Sequence, residues 1–191
     1  MKRRGYFSFA GSFALLLATA ACSIGEDEGQ WGQCATLIGG GRYCLQSSAT
    51  IVPFEAQQKV EVRIRGQQET MIVELEVDAA GMRLAGLTPF GHSLLKASYD
   101  NRTVTATQLA DARLSPSLLI ALLQIALWPA DALRVGLEAP LRLEERAGQR
   151  SILNGDKVTL TINYTGNQPP YRRMQIVIPV AGIELDVETL P

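Results

Sequence analysis

The chain predicts a mainly β fold of the α+β class: an incomplete antiparallel barrel of about ten strands, with two short helices as plug or lid. Three observations carry this. Apolar and polar residues alternate over many short runs, turn signals separate the runs, and one almost wholly apolar helical segment interrupts them. Period two gives each strand one apolar and one polar face.

The alternation starts at Lys59. Val60, Val62 and Ile64 point one way, and Glu61, Arg63 and Arg65 the other. Gly66-Gln67-Gln68 reads as a turn. Val73, Leu75 and Val77 alternate with Glu74 and Glu76, and Asp78 to Gly81 turns again. Met82 and Leu84 follow, then Leu95, Ala97 and Tyr99, with Asp100-Asn101 as the turn into Val104 and Ala106. The period then changes. Ser115 suits an N-cap, and Pro116 suits the first helical position. Leu118 to Leu127 contains only Gln124 as a polar residue, and a helix apolar nearly all round must be buried. Trp128-Pro129 ends it, and a second short helix runs on through Asp131, Leu133 and Val135 to about Gly136.

Strands resume at Leu141 and Leu143, then Ile152. Asn154-Gly155 is a two-residue hairpin signal. Val158, Leu160, Ile162 and Tyr164 alternate with polar neighbours. Met174, Ile176 and Ile178 lead to Pro179, which marks an edge or a strand end. Ile183, Leu185 and Val187 close the chain. About ten apolar strand faces and only two helices leave more greasy wall than the helices cover. Curling the sheet hides most of that wall, and what stays unfilled is an apolar cavity.

The first residues set the compartment. Lys2, Arg3 and Arg4 precede an uncharged apolar run from Phe7 to Ala20, and Thr19-Ala20-Ala21 leads into Cys22. This is a secretory signal with a cysteine at the cleavage point, the pattern of a bacterial lipoprotein. On that reading residues 1–21 are removed, and Cys22 takes a diacylglycerol and anchors the protein to the membrane through acyl chains such as palmitate. Residues 22–33 form the lipidated N-terminus and an acidic, glycine-bearing tether, and 34–191 a single domain. An ordinary signal cleaved after Ala21 would instead leave a free thiol. A retained anchor would need about 20 apolar residues.

Cys34 and Cys44 remain, in an oxidising compartment. A structural disulfide between them closes a short loop and contributes about 2–3 kcal/mol if unstrained. A redox pair is the other reading, without CxxC spacing to support it. The formal net charge of −1 and the lack of a basic patch with interleaved aromatics argue against nucleic acid as a partner.

Behind such a signal, strands, short helices and strands again resemble the outer-membrane lipoprotein receptor LolB and its periplasmic carrier relative LolA. Leu87-Thr88-Pro89-Phe90-Gly91 resembles the Leu-Thr-Asn-Pro-Leu-Gly stretch of LolB. The C-terminal half is closer to the lipoprotein family DUF3261: a helix, a Trp-Pro pair (Trp128-Pro129), a second helix and closing strands. The LolB resemblance implies an incomplete barrel with a helical lid over an acyl-chain cavity. Ser23, where Asp would favour the inner membrane, implies the outer membrane and its periplasmic face. The DUF3261 resemblance implies association with clusters making aryl polyene lipids. The chain has no counterpart at a matching position to the cargo-receiving leucine of LolB's protruding loop.

The expected function is therefore binding or transfer of a hydrophobic lipid or lipoprotein cargo, with a periplasmic carrier protein as a partner. The alternative is a structural or docking lipoprotein without a small-molecule ligand. Candidate cavity walls are Val62, Ile64, Val73, Leu75, Leu84, Leu160, Ile162, Ile176 and Leu185. The candidate lid is Leu119, Leu122, Leu123 and Trp128, and the loop candidates are Leu87 and Phe90. A closed core is the competing reading for each wall residue. No cofactor, metal or catalytic residue is expected. His92 stands alone in a loop, without Ser or Asp at triad spacing, and no His, Cys or carboxylate cluster has ligand spacing. Glu74, Glu76, Glu144 and Glu145 read as solubilising.

Overall fold

The computed structural model describes residues 33–109 and 115–191. The signal segment, Cys22 and residues 23–32 of the tether lie outside the described residues. A small hairpin comes first, β1 (Cys34–Thr36) and β2 (Arg42–Cys44), followed by β3 (Phe54–Ile64), β4 (Gln67–Asp78), β5 (Gly81–Leu87), β6 (Ser93–Tyr99) and β7 (Val104–Gln108). Helices α1 (Pro116–Leu127) and α2 (Ala130–Gly136) intervene. The chain ends with β8 (Leu141–Arg146), β9 (Gln149–Asn154), β10 (Lys157–Thr165), β11 (Arg173–Ile178), a 3-10 turn over Pro179–Ala181, and β12 (Ile183–Thr189).

The main sheet has ten strands in the order β7-β6-β5-β4-β3-β12-β11-β10-β9-β8, with every neighbouring pair antiparallel. Two meanders thus join through β3 and β12, where Val60 faces Val187 and Val62 faces Leu185. The edges, β7 and β8, do not pair with each other, so the sheet is not closed. Two differences from the sequence reading have local causes. β3 starts at Phe54, five residues before Lys59, because inward-facing Gln58 breaks the apolar alternation; it is buried, and its amide donates to Thr189 Oγ1 at 3.1 Å. The Cys34–Cys44 segment forms two strands, too short to show a period, with the cysteines directly opposed and disulfide-bonded.

The helices explain the curl. From β7 to β9 the sheet runs eight strand spacings, about 38 Å if flat at about 4.8 Å each. Twelve-residue α1 is about 18 Å long at about 1.5 Å per residue. Yet α1 packs on β6 and β7 and also meets Arg150 of β9. A helix that short reaches both margins only if the sheet bends round it.

Arg150 makes that junction. It is buried; Nη1 donates to the carbonyls of Ile125 at 2.7 Å and Trp128 at 2.8 Å, and Nε to Glu145 at 2.8 Å. Ile125 O would ordinarily accept from the amide four residues on, but that residue is Pro129, which has no N–H. The guanidinium fills the vacancy and sets a positive charge at the helix C-terminus. Glu145 is therefore an orienting partner of Arg150 rather than only a solubilising charge. At the other end of α1, Ser115 Oγ accepts from Leu118 N at 3.1 Å, the expected N-cap.

Replacing Arg150 with Met strands both carbonyls in the core. We expect a loss of about 2–4 kcal/mol, only partly recovered in Arg150→Lys, measured by urea denaturation. Burial, chiefly, pushes the Tyr99 phenol up to about 12, and burial likewise raises Tyr43. A phenol raised on folding contributes stability that is full below its unfolded value of 10.0 and is lost as pH rises above it. Denaturation midpoints are expected to fall between about pH 10 and about pH 12, and to fall less in Tyr99→Phe.

Candidate functional site

Antiparallel pairing throughout places the turns alternately at two ends of the sheet. One end carries Ala79-Ala80, 100–103, Ala147-Gly148 and 166–172; the other carries Arg65-Gly66, 88–92, Gly155-Asp156 and 179–182. α1 lies across the first end. Ser117 near its start accepts from Gln33 Nε2 at 2.6 Å, and Gln33 in turn accepts from Val104 N at the first residue of β7. Mid-helix, Gln124 exchanges two 2.8 Å hydrogen bonds with the backbone of Gln46 and accepts from Tyr43 OH at 3.0 Å. Its carboxyl end meets Arg150, two residues from the Gly148 turn. The chain after β2 adds a second layer here: Leu45 O accepts from Tyr99 OH, and Ser48 N donates to Asn101 Oδ1 at 2.7 Å.

The apolar face is buried unequally as a result. At the end that α1 crosses, Val77, Met82 and Tyr99 are fully buried, with Leu75 and Leu84 one step further in. Toward the other end the inward-facing pairs Val62–Leu185 and Ile64–Ile183, with Met71 beside Val60, retain exposure; Val62, Met71, Ile183 and Leu185 still pack on the core, whereas Ile64 stands exposed. The opening is one-sided. Across the sheet Leu160 and Ile178 are covered, where the β1–β2 turn is pressed against β10. Gly39 is required there: φ is +96° and a Cβ would lie 2.8 Å from Thr159 Cγ2.

α1 has two faces. Ala121 and Gln124 are buried, and Gln124 is turned to Gln46. Leu119, Leu122 and Leu123, spaced three and four apart, occupy the opposite face and are partly exposed. The predicted wall and lid residues therefore divide. Val73, Leu75, Leu84, Leu160, Ile162, Ile176 and Trp128 are buried core. Val62, Ile64, Leu185, Leu119, Leu122 and Leu123 remain accessible, and Met71 and Ile183 join them although the sequence reading passed over both. The signal for Ile183 was its pairing with Ile64, which is a matter of register and not of composition. Of the loop candidates, Phe90 is 89% exposed and Leu87 half-buried.

The polar face carries two shallow depressions, of about 480 Å³ and about 740 Å³. Lys59, Glu61, Arg173 and Glu188 line the first, and Glu74, Glu76, Arg83 and Lys96 the second. Part of this charge is paired: Lys59 with Glu61 along β3, and Arg83 and Arg173 with carboxylates on neighbouring strands. Arg83 bonds Glu76 and Asp78 and holds both carboxyls below the usual carboxylate range; Arg173 does the same to Glu188. Glu74 is exposed, and Glu144 stands 3.8 Å from Arg142.

The sequence matches one family over residues 55–191. This chain belongs to DUF3261, a family described as protein of unknown function. The match takes in α1, α2 and the ten-stranded sheet from the second residue of β3; the β1–β2 hairpin with its disulfide precedes it. No curated protein is similar enough to count as a match.

For this DUF3261 chain, Glu138 Oε1 lies 3.4 Å from Cys44 Sγ, and with Cys34 the three donors fall within 4.8 Å of one another. The disulfide takes up both thiolates a metal would need. His92 is exposed and held through its backbone: its N–H donates to Thr88 Oγ1 at 3.0 Å, and its carbonyl accepts from Thr88 N at 2.8 Å. Among the described residues, no helix is long and apolar enough to cross a membrane.

The unequal burial has a direct consequence. Leu75→Ala in the buried core is expected to cost about 2–5 kcal/mol, while Ile64→Ala at the open end stays within about 1 kcal/mol, both read from denaturation midpoints.

Proposed function

We propose that this DUF3261 protein is an outer-membrane lipoprotein of the periplasmic face that binds or transfers a hydrophobic cargo, and that it works without catalysis. The observation that carries the reading is the one-sided closure of its apolar face. α1 and the segment after β2 seal one end, while Val62, Ile64, Met71, Ile183 and Leu185 stay accessible at the other. A protein selected for stability alone gains by covering such residues. Leu119, Leu122 and Leu123, turned away from Gln46, supply the matching helical surface.

An acyl chain or polyene lipid fits this surface because it asks for apolar area and little else. Burying a sixteen-carbon chain is worth on the order of 12 kcal/mol gross at about 0.8 kcal/mol per CH₂, less the ordering cost of both partners. The resemblance to LolB and LolA points the same way: an incomplete barrel, a helical element against its interior, and a lipid anchor at Cys22. A periplasmic carrier is the corresponding partner for delivery.

Native mass spectrometry of the full-length protein extracted in mild detergent tests the proposal. A bound lipid-sized mass is expected, lost in Leu122→Glu, whose partly exposed side chain tolerates the charge without unfolding the domain. Protein that stays cargo-free in lipid extract, with its fold intact, ends the proposal.

A further inference from the structure

Among the described residues six large apolar side chains stand in solvent; Val52 and Val135 lie apart, before β3 and in α2, and the other four gather. Phe90 is 89% exposed, Val180 50%, Val158 41% and Ile64 38%. They come from four separate places in the chain: the 88–92 loop, the 3-10 turn, the start of β10 and the end of β3. All four sit at one end of the sheet, the end left open. Single exposed apolar residues are ordinary, but four on four neighbouring turns around one opening are a surface with a purpose.

We infer that these tips form a rim that dips into the interface of a lipid bilayer, bringing the open end onto the membrane. This rests on the cargo reading and names the surface from which cargo would enter or leave. The form of the rim favours a bilayer over a protein. Its apolar groups stand on separate convex turns, whereas a stable protein interface needs a continuous patch of about 800 Å² per partner. Exposed charges on these turns and the strand ends beside them cancel: Arg65 and Lys157 against Glu69 and Asp156. Contact is therefore driven by apolar insertion and does not require anionic lipid.

The length of chain outside the described residues is compatible with this orientation. Gln33 enters the domain at the closed end, beside Ser117 and Val104. Eleven residue steps separate it from Cys22, a reach of at most about 40 Å. Eleven-residue β3 is about 36 Å long at about 3.3 Å per residue. A chain anchored at Cys22 can thus pass alongside the domain and let the opposite end meet the same bilayer.

The test uses full-length lipidated protein in phosphatidylcholine liposomes, with a polarity-sensitive fluorophore on Phe90→Cys, Val180→Cys or Val52→Cys. Val52 is the control, 82% exposed just before β3 at the closed end. Lipids brominated on their acyl chains should quench labels at 90 and 180 several-fold more than at 52. High salt should leave this unchanged. Adding Ile64→Ser and Val158→Ser should lower the fraction quenched at 180 about tenfold. Equal quenching at all three sites, or none at 90 and 180, overturns the rim. So does shielding of the rim labels that appears only when soluble periplasmic protein is added, which would assign the tips to a protein partner. Bound mass measured on the same preparations separates the two ideas. Cargo present with silent rim labels removes docking alone; quenched labels without cargo remove the cargo reading alone.

Discussion

A single buried guanidinium fixes the relation between the helix and the sheet. Arg150 reaches from β9 to the carboxyl end of α1 and supplies donors that the following proline cannot. With the start of α1 held near β7 through Gln33, a short helix ties together strands that a flat sheet would hold far apart. The curl, the sealed end and the depth of the core all follow from that tie. It also explains why a charged residue is retained in the interior: its hydrogen bonds satisfy carbonyls that have no other donor.

The same tie makes the molecule asymmetric. A helix laid across one end, backed by the chain from Leu45 to Ser48, excludes water from the rows beneath it. A hairpin clipped by Cys34–Cys44 covers part of the opposite end over β10. Between that hairpin and the long β3–β4 pair the apolar face stays accessible. The proposed cargo role draws on this incomplete cover, and so does the proposed rim of tips around it. The polar face is solvated and carries cross-strand ion pairs such as Arg83–Glu76 and Arg173–Glu188.

Much of the fold could be read from the residues because it depends on local period. Alternation located β4 to β6 and β10 to β12, Ser115-Pro116 the start of α1, and Trp128-Pro129 its end. The failures share a cause. Gln58 hid nearly the first half of β3, since a polar residue on the apolar face is indistinguishable in sequence from a break. Cys34–Thr36 and Arg42–Cys44 were too short to show a period. Glu145 read as a solubilising charge and Arg150 carried no reading, because nothing local announces that a guanidinium will meet a helix terminus 22 to 25 residues away. Within the candidate site, alternation supplied wall residues without saying which were covered, so Leu75 and Ile64 looked equivalent.

By itself the sequence determined the class of fold, the strand faces, the helix limits and the pairing of Cys34 with Cys44, because period, capping residues and cysteine count are properties of neighbouring residues. Only the tertiary structure decided that Leu75 is closed and Ile64 open, that Ile183 stands opposite Ile64, and that Ile64, Phe90, Val158 and Val180 gather at one end. Those facts depend on strand order and on where α1 lies across the sheet. Both are set by contacts between residues distant in the chain, to which no local pattern is sensitive.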